Sequence, residues 1–323
     1  MSSRERVGSN LRRFRWRLGK VLRWLRVSGG SNALAGLGRD CGQSHTALRL
    51  GGAHWRSLAS QCRPVGGSAG PISELLFNRA GLESGHSVLD VGCGRGSTTR
   101  AAAAMIGRGK AVGLDLSEEM ISGARDLDPM DRCAWITADA TDVDLSHLAS
   151  DILISRFGLM FFPEPVRAIL NVRRALRPNG RLVAVVWQQR HESPFQHLPF
   201  TAAGDAAARH GLSLPLGAPD GGAFSFGRPE IVEQVMQAAG WVNVSFERHQ
   251  VPVHVAGPGA TAAKAAELFL GTGPIATWLA SLESSCRSDI TGAMERELAS
   301  HFDGTGIRQD AGIAVVTAKS PGE

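Results

Sequence analysis

Three glycines at alternate positions, Gly92, Gly94 and Gly96, follow an acid, Asp90, at the end of a short apolar run. The stretch from His86 to Thr99 reads HSVLDVGCGRGSTT. Glycines placed this way allow positive φ and let a ligand come close to the backbone. Ser97 or Thr98 is placed to cap the following helix, whose Ala-rich run begins at Ala101. The expected product is a turn that aims backbone N–H groups and a positive helix end at a bound molecule. Two more acids, Asp115 and Asp139, close the next two apolar runs. Past the fifth such run stand His191, Glu192 and His197, as base candidates or contacts for a polar group. Cys93, inside the turn, reads as a small filler rather than a nucleophile. Cys41, His45, His54 and Cys62 lack the tight C-x-x-C or H-x-H pairs of zinc sites, so no metal is expected.

The elements that must position these residues follow from periodicity. Ser87-Val88-Leu89 suits a strand covered on both faces. A helical face of Ile72, Leu75, Leu76 and Ala80 precedes it and ends at Gly81. Helices are expected over 101–105, from Ser117 onward, and over 164–176, the last stopped by Pro178-Asn179-Gly180. Strands are expected over 111–114, 133–138, 151–155 and 181–187. Strands and helices that alternate through short loops predict an α/β fold, doubly wound about a mostly parallel sheet. Residues 188–226, rich in Gly, Pro and His, read as irregular. A helix over 229–239, a strand over 241–253, two or three helices over 261–302 and a strand over 311–318 complete the chain. The helical insertion thus falls between the last two of seven strands. With 188–226, a segment of about 258–305 is placed to cap the carboxyl edge of the sheet.

Charge divides the chain differently. Residues 1–40 hold ten Arg and Lys against Glu5 and Asp40, a surplus of eight; the whole chain carries +5, so the remainder carries −3. The division expected is a basic, irregular extension over 1–70 and one domain over 71–323. Within the extension, Leu11, Phe14, Leu18, Val21, Leu22 and Leu25 recur at helical spacing among arginines. Residues 11–27 therefore suit weak contact with an anionic membrane surface, or an Arg-rich transit peptide. No apolar run approaches the ~20 residues of a membrane span. Five scattered cysteines read as reduced thiols, and the location expected is cytoplasmic. A nucleic-acid partner is not expected of a body with this charge.

A dinucleotide turn, G-x-G-x-x-G from Gly92, would need glycine where Ser97 stands. The pattern present, D-x-G-x-G-x-G, resembles that of class I S-adenosylmethionine-dependent methyltransferases. VLDVGCGRG (88–96) is similar to the first motif of that family, VGLDLS (112–117) to the second and ADA (138–140) to the third. RALRPNGRLVAVVW (174–187) resembles its later helix, turn and fifth strand. SRFGLMFFPEP (155–165) and the VVTAK ending resemble small-molecule enzymes near the ubiquinone/menaquinone biosynthesis methyltransferases. The resemblance implies a seven-stranded Rossmann-like methyltransferase sheet and S-adenosyl-L-methionine as co-substrate. It places Gly92, Cys93, Gly94 and Gly96 against the amino-acid part of that molecule, with Asp90 holding the same end. It assigns both ribose hydroxyls to Asp115, the adenine face to Leu116, and the adenine edge to Asp139 and the Ala140 N–H. Ser155 and Arg156 then lie near the methionine end and the acceptor.

Methyl transfer from a sulfonium is an in-line displacement that demands positioning and exclusion of water, so a catalytic base need not be visible. His191 and Arg156 are the catalytic candidates. Phe157, Met160, Phe161, Phe162, Phe195 and Phe200 suit either an apolar pocket or the core. The chain has no tyrosine and no N-P-P-F, which excludes the usual amino-methylase motif. It has no Pro-Cys pair for cytosine attack and no C-x-x-x-C-x-x-C for radical chemistry. A small-molecule acceptor is the expectation. The alternatives are a nucleic-acid-directed enzyme using the basic head, or a non-catalytic relative of the fold. Oligomeric state is not legible.

Overall fold

The computed structural model describes residues 70–218, 221–271 and 273–322. The basic segment 11–27 and the residues Cys41, His45, His54 and Cys62 lie outside the described residues.

The first helix, α1 (Pro71–Ala80), opens with proline, whose missing N–H is no loss there, and ends on Gly81 at φ 54°. Then come β1 (Ser87–Val91), α2 (Ser97–Ile106), β2 (Lys110–Asp115), α3 (Glu118–Asp126) and β3 (Ala134–Thr137). β4 (Ser150–Arg156), α4 (Pro165–Arg173) and β5 (Leu176–Trp187) complete the parallel part. The chain continues through α5 (Pro194–Arg209), α6 (Pro229–Ala238), β6 (Val242–Val255), α7 (Ala262–Leu270), α8 (Gly273–Ala280), α9 (Ser284–Ala299) and β7 (Ile307–Lys319).

The seven strands lie in the order β3-β2-β1-β4-β5-β7-β6. β1 to β5 are parallel; β7 enters antiparallel between β5 and β6. All five residues of β1 are buried, as expected of a strand covered on both faces. β5 is buried from Leu182 to Trp187, and β7 from Ala311 to Val316. Crossover order brings the carboxyl ends of β1, β2, β3 and β4 to one edge, where open α/β sheets place ligands. α7 to α9 lie between β6 and β7 in the chain, as the sequence predicts.

Three segments depart from the sequence expectation. Residues 194–209 are a helix, α5, not irregular chain. Pro199 and Gly204 hide it, yet Phe195, Pro199, Ala203 and Ala206 make one buried face at helical spacing. α4 ends at Arg173 rather than at residue 176, because the Ala175 carbonyl accepts the Ser150 N–H (2.7 Å) and joins the sheet. Pro178-Asn179-Gly180 lies within β5, where a register shift between Ser150 and Ile152 bulges it out with Asn179 at φ 63°.

Candidate active site

β1 ends in Asp90-Val91, and the chain reverses through Gly92, Gly94 and Gly96, all at φ 55–71°. The first reason for glycine is contact. A Cβ on Gly92 would stand 2.7 Å from the Gly158 Cα, and one on Gly96 2.1 Å from the Trp135 ring. The turn is therefore locked between the loop after β4 and an indole from β3.

The N–H groups of this turn are spent inside the protein, contrary to expectation. Gly92 and Cys93 donate to the Leu114 carbonyl (2.8 and 3.1 Å), Gly94 to Asp115 Oδ2 (2.9 Å) and Gly96 to the Cys93 carbonyl (2.9 Å). The turn offers close approach, and the helix end behind it offers charge. α2 starts at Ser97 rather than at Ala101; Gly96 is its N-cap, without a side-chain cap. Ser97 and Thr98 do other work. The Thr98 and Thr99 hydroxyls donate to Asp90 Oδ2 (2.5 and 2.7 Å).

Asp90 is fully buried, and its Oδ1 has no partner among the described residues. Burial pushes its carboxyl above the usual range; the threonine hydroxyls and the Arg156 charge work against that shift, and Asp115 adds to it. Arg156, at the end of β4, donates to Ser73 Oγ of α1 (2.5 Å) and Ser97 Oγ of α2 (2.8 Å). It thus ties both helices to the carboxyl edge, with its charge facing Asp90. Ser155 differs from its expected role: its hydroxyl is buried and donates to the Val91 carbonyl (2.7 Å), cross-linking β1 and β4. That hydroxyl is committed to the frame.

Asp115 closes β2 half-exposed. Each oxygen accepts one backbone N–H, Oδ2 from Gly94 and Oδ1 from Ser117 (2.9 Å each). The Leu116 N–H also faces the carboxylate, which keeps lone-pair capacity for further donors. Burial raises the Asp115 pKa, opposed by these N–H groups. Leu116 follows, a large apolar side chain left 50% exposed. The Ala138 N–H donates to the Asp115 carbonyl (3.1 Å), which draws the end of β3 beside that of β2. Asp139 Oδ1 accepts the Thr141 N–H and hydroxyl (2.8 and 2.7 Å), an Asx turn. The buried Ala140 carbonyl accepts from Asn171 of α4 (3.1 Å).

The structure thus brings Asp90, Gly92, Gly94, Gly96, Asp115 and Arg156 into one cluster, with Asp139 and Ala140 at the adjoining strand end. His191 stands apart. It is exposed on a single turn after β5, with no hydrogen bond to that cluster among the described residues. Cys93 is buried, and burial beside two carboxylates pushes its thiol well up, which makes it an inert filler. Phe157, Trp187 and Phe195 stack in sequence (4.2 and 5.7 Å), and Phe269 meets Phe195 edge-on (5.2 Å). Phe157, Met160 and Phe195 are buried in the hydrophobic core.

Sequence reasoning passed over Thr99, Ser73, Trp135, Asn171 and Gly158. The last is a close approach that only the fold reveals: a Cβ on Gly158 would stand 2.5 Å from the Val91 carbonyl and 3.0 Å from the Gly92 Cα, and Phe157 before it holds φ 63°, costly for a bulky residue.

Residues 89–184 match a family described as a methyltransferase domain. The chain is 26% identical over 262 residues to a nocamycin O-methyltransferase from Saccharothrix syringae, covering 77% of this chain and 90% of that one. It is 35% identical over 101 residues to a demethylmenaquinone methyltransferase from Clavibacter sepedonicus (31% and 40%). It is 30% identical over 155 residues to a trans-aconitate 2-methyltransferase from Variovorax paradoxus (46% and 59%). The chain therefore spans less than two thirds of the last two relatives. Among the described residues no helix is long and apolar enough to cross a membrane.

Proposed function

We infer that this chain, which belongs to the class I S-adenosylmethionine-dependent methyltransferases, transfers the methyl group of S-adenosyl-L-methionine to a small-molecule acceptor by in-line displacement. The observation that carries this reading is the donor set at the carboxyl edge. Asp115 keeps lone-pair capacity for further donors, suited to a vicinal diol. Asp90 holds a buried oxygen without a partner, suited to an ammonium group. Leu116 leaves an apolar surface bare, suited to a flat base. The residues present fit the molecule.

When bound, S-adenosylmethionine supplies a methyl group already activated on a sulfonium. What remains for the chain is to bind, orient and exclude water. Asp115 fixes the nucleoside end; Gly92 and Gly94 allow the backbone close to the amino-acid end. Asp90, backed by Thr98 and Thr99, receives the ammonium, and Arg156 serves the carboxylate side. Asp139 and the Ala140 N–H address the base edge. The segments 188–226 and 258–305 cap the acceptor. The names of the three relatives refer to nocamycin, demethylmenaquinone and trans-aconitate, all small molecules, which supports that part of the reading.

The test is incubation of the full-length protein and labelled S-adenosylmethionine with a metabolite extract, followed by mass spectrometry. One labelled small-molecule product is expected. No binding of the labelled cofactor at ~1 mM, well above ordinary KM values, overturns the reading.

A further inference from the structure

Away from the cofactor edge, where β1, β4 and β5 begin and β7 ends, lies a cavity of about 310 Å³. It is small, near the lower limit for small-molecule sites. Its chemistry comes from Arg177, Arg181, Lys319, His86, Asn179 and Asp151. Three of these are permanent cations, and one is a carboxylate.

That carboxylate is already engaged. Asp151 Oδ1 accepts from Arg177 (2.5 Å) and Oδ2 from the Ser87 N–H (2.7 Å). The cations are not all so engaged. Arg181 gives Nη2 to the Ala80 and Gly81 carbonyls (2.8 and 3.2 Å), which fixes its guanidinium at the wall. Its Nε is buried with no partner among the described residues. Lys319 has no ion-pair partner among them either. His86 Nδ1 accepts the Glu83 N–H (3.0 Å), which puts the ring proton on Nε2, a donor. The bulged Pro178-Asn179-Gly180 turn forms the remaining wall and is held by the chain end, through Ser320 N–H to the Gly180 carbonyl (2.8 Å).

The local charge thus runs against that of the body, which carries a net −3 after residue 40. The surplus is two positive charges, and one guanidinium N–H of the lining, Arg181 Nε, is left without an acceptor among the described residues. A buried N–H donor without an acceptor calls for an explanation, and a bound anion supplies one. We propose that this cavity is a second ligand site, for a small phosphate dianion: free phosphate or the phosphate of a small phosphomonoester. Two positive charges match the dianion, and guanidinium donors match its oxygens. The site shares no residue with the cofactor cluster, so it stands or falls apart from the methyl-transfer reading.

The experiment is thermal unfolding of the full-length protein against sodium phosphate, glycerol phosphate and, at matched ionic strength, sodium chloride. It is run on the natural protein, on Lys319→Glu and on Arg177→Gln; both side chains are exposed, so both variants are expected to fold. A saturable rise in Tm with phosphate is expected, and Lys319→Glu weakens phosphate binding by about tenfold or more. A larger response to glycerol phosphate identifies a phosphomonoester site; an equal or smaller one identifies free phosphate. S-adenosylhomocysteine binding, measured on the same samples, stays unchanged in both variants. A response no larger than that to chloride, or the same response in Lys319→Glu as in the natural protein, overturns the proposal.

Discussion

Replacing Asp115 by alanine separates the two jobs of one carboxylate. Inside the protein it accepts N–H bonds from Gly94 and Ser117. Outward, in the proposed site, its remaining lone pairs take the nucleoside diol. Bonds to a charged acceptor are worth about 1.5–3 kcal/mol each. Asp115 is half-exposed, so water recovers part of that in the variant, and about 1.5–3 kcal/mol is the expected loss for the pair together. That corresponds to a cofactor affinity roughly 10- to 150-fold weaker. The inner bonds contribute separately, at about 1–2 kcal/mol of folding stability. Calorimetric titration of S-adenosylhomocysteine reads the first quantity and urea unfolding the second. Asp115→Asn is the companion, keeping one oxygen and the shape, with an intermediate loss. Unchanged cofactor affinity in a variant whose unfolding midpoint has dropped would show that the carboxylate serves the turn alone, and would refute the diol assignment.

Gly96→Ala meets two obstacles, a φ of 71° and the Trp135 ring 2.1 Å from the new Cβ. A loss of about 2–4 kcal/mol in urea unfolding is expected, with partial recovery when Trp135→Leu is added. Ser155→Ala removes the bond from a buried hydroxyl to the Val91 carbonyl. About 1–2 kcal/mol of stability is expected to go while cofactor affinity holds; a large affinity loss at unchanged stability would return Ser155 to the ligand. Asp90 and Asp115 both carry raised pKa values, so the folded chain binds protons more tightly than the unfolded one. Stability of the unliganded protein should therefore fall as pH rises from the ordinary carboxylate value through the raised ones, whereas cofactor affinity, which needs both ions, should rise over that window. Urea midpoints and calorimetric titrations at stepped pH check the two slopes.

The glycine turn, the acids at strand ends and the alternation of strands with helices were legible in sequence because each is a local signal. A short β-branched run, a turn needing positive φ and an acid at fixed distance do not depend on distant chain. What was not legible depends on partners far away. The N–H groups of the turn look free until β2 supplies the Leu114 carbonyl and Asp115. Ser155 looks like a contact residue until β1 lies beside it. α5 was hidden because Pro199 reads as a breaker, and only burial of its alanine face reveals why the helix continues. The phenylalanines after β4 are equally apolar on paper; stacking on Trp187 makes one of them core.

β6 and β7 are registered at twelve positions from Val242 to Lys319, and the edge position of β6 lets Pro252 sit there with its ring toward open solvent. Everything between Ala256 and Gly306 is thereby a closed loop whose two ends are already clasped by a zipper of sheet. Such a cassette can lengthen or shorten at little closure cost once its ends are fixed, as long as Phe269 keeps its edge on Phe195 and through it on Trp187 of β5. On the proposed capping role of this segment, grafting 257–305 from a relative onto this frame is expected to change which acceptor is taken.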